Sequence, residues 1–265
     1  VHAYPNGGGD YEVTRSNLGP NAGLGVASAL LVDYVLTVAV SVSSGVQNAK
    51  TVIPFLTGHE GLTAAGIIIL IMLVNLRGIR ESGTIFAIPT YCFMFAVVGM
   101  TVWGLVQIHV LGTHLAAPTA DWEVIGVDPY TNMQGLAMAA LAARSFSSGC
   151  AALTGVEAIS NGVPSFKKPK SRNAATTLSL LGVVAISMLL GIITLANEVG
   201  VHLIDDRGGS YYVLPDGTTR RDPGMTVMGQ LANAVFGDFR PGVWIVIGFT
   251  MLILFLAANT AFNGF

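Results

Sequence analysis

Hydrophobic residues along this chain fall in long runs, not in the strict alternation of a half-buried strand or the narrow stripe of a surface helix. A membrane-crossing helix needs about 20 mostly apolar residues. Six runs meet or approach that length: Asn21–Val46, Leu62–Leu76, Ile85–Leu111, Met133–Val163, Ala174–Ala196 and Gly242–Phe265, the second of them short. The links differ in character. Residues 77–84 carry Arg77 and Arg80. Residues 112–132 lack Lys and Arg but hold Asp121, Glu123 and Asp128. Residues 164–173 carry Lys167, Lys168, Lys170 and Arg172. Residues 197–241 are long, rich in Gly, Asp and Pro, and contain Tyr211-Tyr212 and Pro215-Asp216-Gly217; that turn chemistry predicts a small hairpin.

Short basic segments stay on the cytoplasmic side of a membrane, and long loops count little in that rule. Arg15, Arg77, Arg80 and the basic loop 164–173 fall on one side of six alternating spans. The N-terminal stretch and loop 164–173 are therefore expected to be cytoplasmic. The loops after spans one, three and five are expected to be external, with 197–241 the long external loop. Composition agrees: of 265 residues, 52% are hydrophobic and 11% charged, and the mean hydropathy is +0.64. A soluble domain carries about 25% charged residues, so the chain cannot clothe a water-facing surface. A formal charge of −2 offers no general basic face for nucleic acid. Cys92 and Cys150 lie in apolar runs and make neither a disulfide framework nor a metal-ligand spacing. The chain begins at Val1 with no signal-peptide pattern and reads as an internal stretch of a longer polypeptide.

Ionisable residues inside spans cost several kcal/mol and are functional candidates by default. Two lie deep: Asp33 and Glu157. At about 100° per residue, Asp33, Thr37, Ser41 and Ser44 fall within an arc of roughly 80°, flanked by Tyr34. The bland alternative is helix–helix packing, a common use of Ser and Thr in membranes, but packing needs no carboxylate. In span four, Ser147, Ser148, Gly149 and Gly155 interrupt an otherwise smooth run. They predict a broken helix, because unwound backbone at membrane depth is tolerated only against protein or a wet cavity, and transporters place such breaks at their substrate sites. A small-residue packing seam would explain the glycines but not Glu157. Thr154 and Glu157 are three apart and can share a helix face. Two carboxylates with hydroxyls and carbonyls suit an alkali cation, which must exchange its hydration shell for several oxygens. A second carboxylate can also carry a proton, since burial favours the neutral form.

Other strings point less far. Gly7-Gly8-Gly9-Asp10 matches the G-x-G-D string of intramembrane aspartyl proteases, but it sits in a loop and not in mid-span. His59-Glu60 lacks the second His of a zinc helix. Lys167–Arg172 is read as a topology determinant, with contact to anionic lipid as its other use.

Tyr4-Pro-Asn-Gly-Gly-Gly-Asp-Tyr11 resembles the P-x-G-G-x-Y stretch between helices two and three of APC-superfamily permeases. Leu31-Val-Asp-Tyr-Val-Leu-Thr-Val-Ala-Val-Ser41 and Phe146-Ser-Ser-Gly-Cys-Ala-Ala-Leu-Thr-Gly-Val-Glu-Ala-Ile-Ser-Asn161 resemble the KimA-type potassium importers of the KUP branch, and Leu256-Ala-Ala-Asn-Thr260 fits as well. The likeness covers nearly the whole chain, with 200–225 as an insertion. It implies an all-α integral membrane protein of LeuT-like fold, two inverted five-helix repeats. Of these the chain would hold helices three to eight as six transmembrane helices, the fourth of them broken. Residues 1–111 would end the first repeat and 133–265 begin the second. The resemblance further implies potassium bound by Asp33, Tyr34, Thr37 and Ser41 with Thr154 and Glu157, and import coupled to protons through Glu157 and Asp33. No cofactor and no enzymatic activity are expected. The implied partners are the potassium ion, the proton and the lipid bilayer of a plasma membrane crossed several times, with a homodimer for the full-length protein and no nucleic acid. Helices one and ten and a cytosolic domain would lie outside this chain. A proton-coupled amino-acid permease on the same scaffold is the alternative.

Overall fold

The computed structural model describes residues 3–4, 7–77, 83–126, 134–150, 154–204 and 209–262. Among them the apolar runs are helices. Helix α1 is Gly9–Leu18, α2 Pro20–Lys50, α3 Glu60–Leu76, α4 Gly83–His109, α5 Leu136–Cys150, α6 Thr154–Asn161, α7 Lys170–Glu198, α8 Val227–Phe236 and α9 Arg240–Phe262. Three short strands, β1 (Glu123–Ile125), β2 (Tyr211–Val213) and β3 (Thr219–Arg220), form one antiparallel sheet in the order β1-β2-β3.

Among the described residues four helices are long and apolar enough to cross a bilayer: α2, Phe86–His109 of α4, α7 and α9. Helix α3 has 17 residues. At 1.5 Å per residue it falls short of a hydrocarbon core of about 30 Å. The expected fourth span is two pieces, α5 of 15 residues and α6 of 8, with 151–153 outside the described residues. Only 6% of the most apolar window of α7 is buried. Leu180, Val183, Ile186, Leu190 and Ile193 point outward along it. In water that face would be a large apolar patch; in lipid it is at home.

The chain divides into two units, with two of the three boundaries inside helices, α2 and α7, and the third between 127 and 128. The unit of residues 33–127 and 188–265 has two apolar clusters. One joins Met100 of α4, Leu195 of α7, Leu231 and Val235 of α8, and Val243, Val246 and Ile247 of α9. The other joins Val38, Val42 and Val46 of α2 to Ala64 of α3 and Ala258 and Ala261 of α9. Glycine permits the closest approaches. A Cβ on Gly104 of α4 would stand 2.8 Å from Leu195 Cδ1 and 2.8 Å from Val235 Cγ2. Gly104→Leu in the full-length protein is therefore expected to destabilise by about 1–3 kcal/mol, the usual cost of overpacking. A thermal melt in detergent reads this as a midpoint a few degrees lower, and an unchanged midpoint would show that the seam can open.

One end of this unit gathers the loops that follow α2, α4 and α7, the meeting that alternating spans require. Lys50 Nζ lies 3.4 Å from both Glu60 and Asp222. The Ala117 amide donates to the Val199 carbonyl at 2.8 Å. Gln230, fully buried, accepts from Thr119 Oγ1 at 2.6 Å, and Thr119 Oγ1 accepts from the His202 amide at 3.0 Å. Strand β1 pairs with β2, setting Val124 opposite Tyr212. The Tyr212 ring is buried edge-on to Trp122, and its hydroxyl donates to the His202 carbonyl. The hairpin turn falls at Pro215-Asp216-Gly217, with Gly217 at φ +79°. Hydrogen bonds from the Thr218 hydroxyl first, then its amide, hold the Asp216 carboxyl below the usual range. That contribution is present at neutral pH and is lost as pH falls through the depressed value. At the opposite end Asn75 of α3 donates to Asn259 of α9 at 2.8 Å.

The other unit comprises residues 1–32 and 128–187. Its α1 was not foreseen. The helix is polar, has no buried residue, and is marked by local signals: Asp10 and Glu12 in its first turn and Arg15 in its last, signs that suit the helix dipole. The Asn17 amide reaches back to Tyr4 Oη at 2.6 Å. Helix α1 packs against α6. Helix α8 was also missed, inside what read as a loop; Thr226 caps it by accepting from the Gly229 amide at 3.1 Å.

Candidate cation site

Helix α2 carries the first set of candidate residues, and Gly19-Pro20 opens it. Proline is tolerated at a helix start because its missing N–H would be unpaired there anyway. The helix then divides by face. Val38, Val42, Gly45, Val46 and Ala49 are buried. Asp33, Thr37, Ser41 and Ser44 are rotated by roughly 130° from that stripe on a 100° helical wheel. Asp33 is exposed, and Tyr34, Thr37, Ser41 and Ser44 are half-buried. On the α2 side the packing against α3 and α9 is carried by Val38, Val42 and Val46. The hydroxyl face is thus not the glue of that seam, which removes the bland reading for this contact. Gly45 sets the depth of the seam, since a Cβ there would run into the Phe255 ring.

The polar face extends further than the sequence reading took it. Asn48, four residues beyond Ser44, continues the same arc and is buried. Its amide donates to the Ser44 carbonyl at 2.9 Å and its Oδ1 accepts from Thr226 Oγ1 at 2.8 Å. The i, i+4 spacing from Ser44 was the available signal. Oxygen-bearing side chains therefore run from the middle of α2 to the loop end of the unit.

The second set lies on α6, in the other unit. Thr154 opens the helix and Glu157 follows one turn later, so their backbone positions share a face. The side chains of Thr154 and Glu157, like that of Ser148, lie outside the described residues. Of the residues assigned to the break, Ser147, Ser148 and Gly149 are in the last turn of α5 and Gly155 is in the first turn of α6, and residues 151–153 between them lie outside the described residues. The α2 set and the α6 set belong to different units, and each is described within its own.

The G-x-G-D string resolves differently. Asp10 is exposed in the first turn of α1, a helix of 10 residues. A proteolytic aspartate would need a buried place at membrane depth, and Asp10 has none.

The chain is 39% identical over all 265 residues to the potassium transporter KimA of Bacillus subtilis, and spans 39% of that protein's length. Both KimA and the amino acid permease family are, by name, transporters and not enzymes. The family's profile matches residues 2–265, which with four long apolar helices makes this a membrane protein: the chain belongs to the amino acid permease family.

Proposed function

We propose that this chain is the central part of a secondary active transporter that imports potassium with protons across the plasma membrane. The observation that carries the reading is the 39% identity to a potassium transporter over the entire chain, together with a carboxylate on a face of α2 set apart from its seam with α3 and α9. In this reading the chain supplies six spans of a LeuT-like fold, equivalent to helices three to eight. Helices α3 and α5–α6 supply the two that are short or interrupted, and the full-length protein is a homodimer. Residues 1–111 end one inverted repeat and 133–265 begin the next.

Asp33 is the principal cation ligand. The oxygens of Tyr34, Thr37, Ser41 and Thr154 replace water around the ion, and Glu157 is the carboxylate whose proton moves with it. Unwound carbonyls between two half-helices are a recurrent cation site in transporters. A free amino acid fits this charge pattern poorly, because Asp33 and Glu157 would both repel its carboxylate.

The test is rubidium uptake by cells lacking other potassium importers and expressing the full-length protein. Unlabelled potassium is expected to compete fully, and amino acids at equal concentration are not. Competition by an amino acid instead of potassium would overturn the reading.

A further inference from the structure

Three consecutive glycines before and at the start of α1 have left-handed backbone: Gly7 at φ +79°, Gly8 at +102° and Gly9 at +48°. Side-chain-bearing residues are strained there. Two of the three are also pressed against α6. A Cβ on Gly7 would stand 2.6 Å from the carbonyl oxygen of Asn161 and 3.0 Å from Pro164 Cδ, and Gly7 is buried. A Cβ on Gly9 would run into Asn161 Oδ1. Gly8 differs, because its Cβ would meet only Glu12 of its own helix. The turn therefore wraps bare backbone around the main chain and side chain of one residue. That residue is the last of α6, four positions after Glu157. Residues four apart stack on one helix face, about one turn from each other. In a helix of 8 residues a grip on the last fixes the rotation of the whole.

We propose that Asn161, held by the Gly7–Gly9 turn, is a positioning residue for Glu157: it sets the rotation of α6 and so the direction in which the carboxylate is presented. This rests on the reading of Glu157 as the proton-linked group. The glycine turn thereby acquires a role in transport that its backbone geometry alone would not require.

The experiment measures rubidium uptake by the full-length protein against rubidium concentration and against pH, normalised to folded protein in the membrane. Asn161 is exposed, so Asn161→Ala leaves no buried cavity and folding is expected to survive. It is expected to raise KM about tenfold with little change in kcat and to displace the midpoint of the pH profile, a split that a merely less stable protein does not show. Asn161→Asp, which keeps the Oδ1 position, is expected to recover most of the wild-type KM. Gly9→Ala is expected to behave like Asn161→Ala, while Gly8→Ala, also at positive φ but turned away from α6, keeps the wild-type KM and profile. If Gly9→Ala fails to fold, the Asn161 pair decides. Wild-type KM and pH profile in Asn161→Ala would overturn the proposal, as would an equal shift in Gly8→Ala. A profile changed by Glu157→Gln but not by Asn161→Ala overturns the positioning role alone; a profile untouched by Glu157→Gln overturns both it and the proton reading.

Discussion

Asp33→Asn in the full-length protein is expected to lower the apparent affinity for potassium by about two to three orders of magnitude. The substitution keeps an oxygen in place and removes only the charge. A carboxylate and a monovalent cation near contact attract by about 4–5 kcal/mol at an effective dielectric of about 20, and each 1.4 kcal/mol is a factor of about ten in affinity. Folding should not confound the result. Asp33 is exposed, and α2 is held by Val38, Val42 and Val46 on another face. The protein should reach the membrane in normal amount, and concentration-dependent rubidium uptake reads the loss. An affinity within threefold of wild type would mean that the ion does not rest on this carboxylate, and the cation site would have to be sought elsewhere.

The second large effect is at Glu157. Glu157→Gln mimics a permanently protonated side chain and removes the group that exchanges a proton with the solution. Net uptake against a gradient is expected to stop, and its dependence on external pH to vanish. Exchange of internal potassium for external rubidium moves no net proton and should continue. That pair of results separates a coupling residue from a simple ligand, whose loss would depress exchange and net uptake alike. Reconstituted vesicles with an imposed pH difference provide the measurement. A variant whose net uptake keeps the wild-type pH slope would strip Glu157 of the proton role.

What the sequence revealed depended on how local each signal was. Runs such as Ala174–Ala196 and Gly242–Phe265 announced α7 and α9, because apolar length is a property of the run itself. Pro215-Asp216-Gly217 announced its hairpin for the same reason. Helix α1, polar and marked only by its terminal charges, escaped a search for apolar runs, and α8 was masked by the glycines and prolines around it. The pairing of β1 with β2 joins segments separated by three helices, and nothing in either strand names its partner. The candidate site divides the same way. The face of α2 could be laid out on a helical wheel from Asp33 to Ser44. Its continuation to Asn48 became visible only with Thr226 beside it. The glycine string before α1 was legible as a loop, but its contact with Asn161 became visible only in the structure.

The short sheet has a mechanical consequence. A strand ladder gives no slack, so the segment leaving α4 and the segment leaving α7 are yoked and must travel as one piece whenever the molecule changes shape. Two loops that could have moved independently are held edge to edge, and the protein has one fewer way to move there.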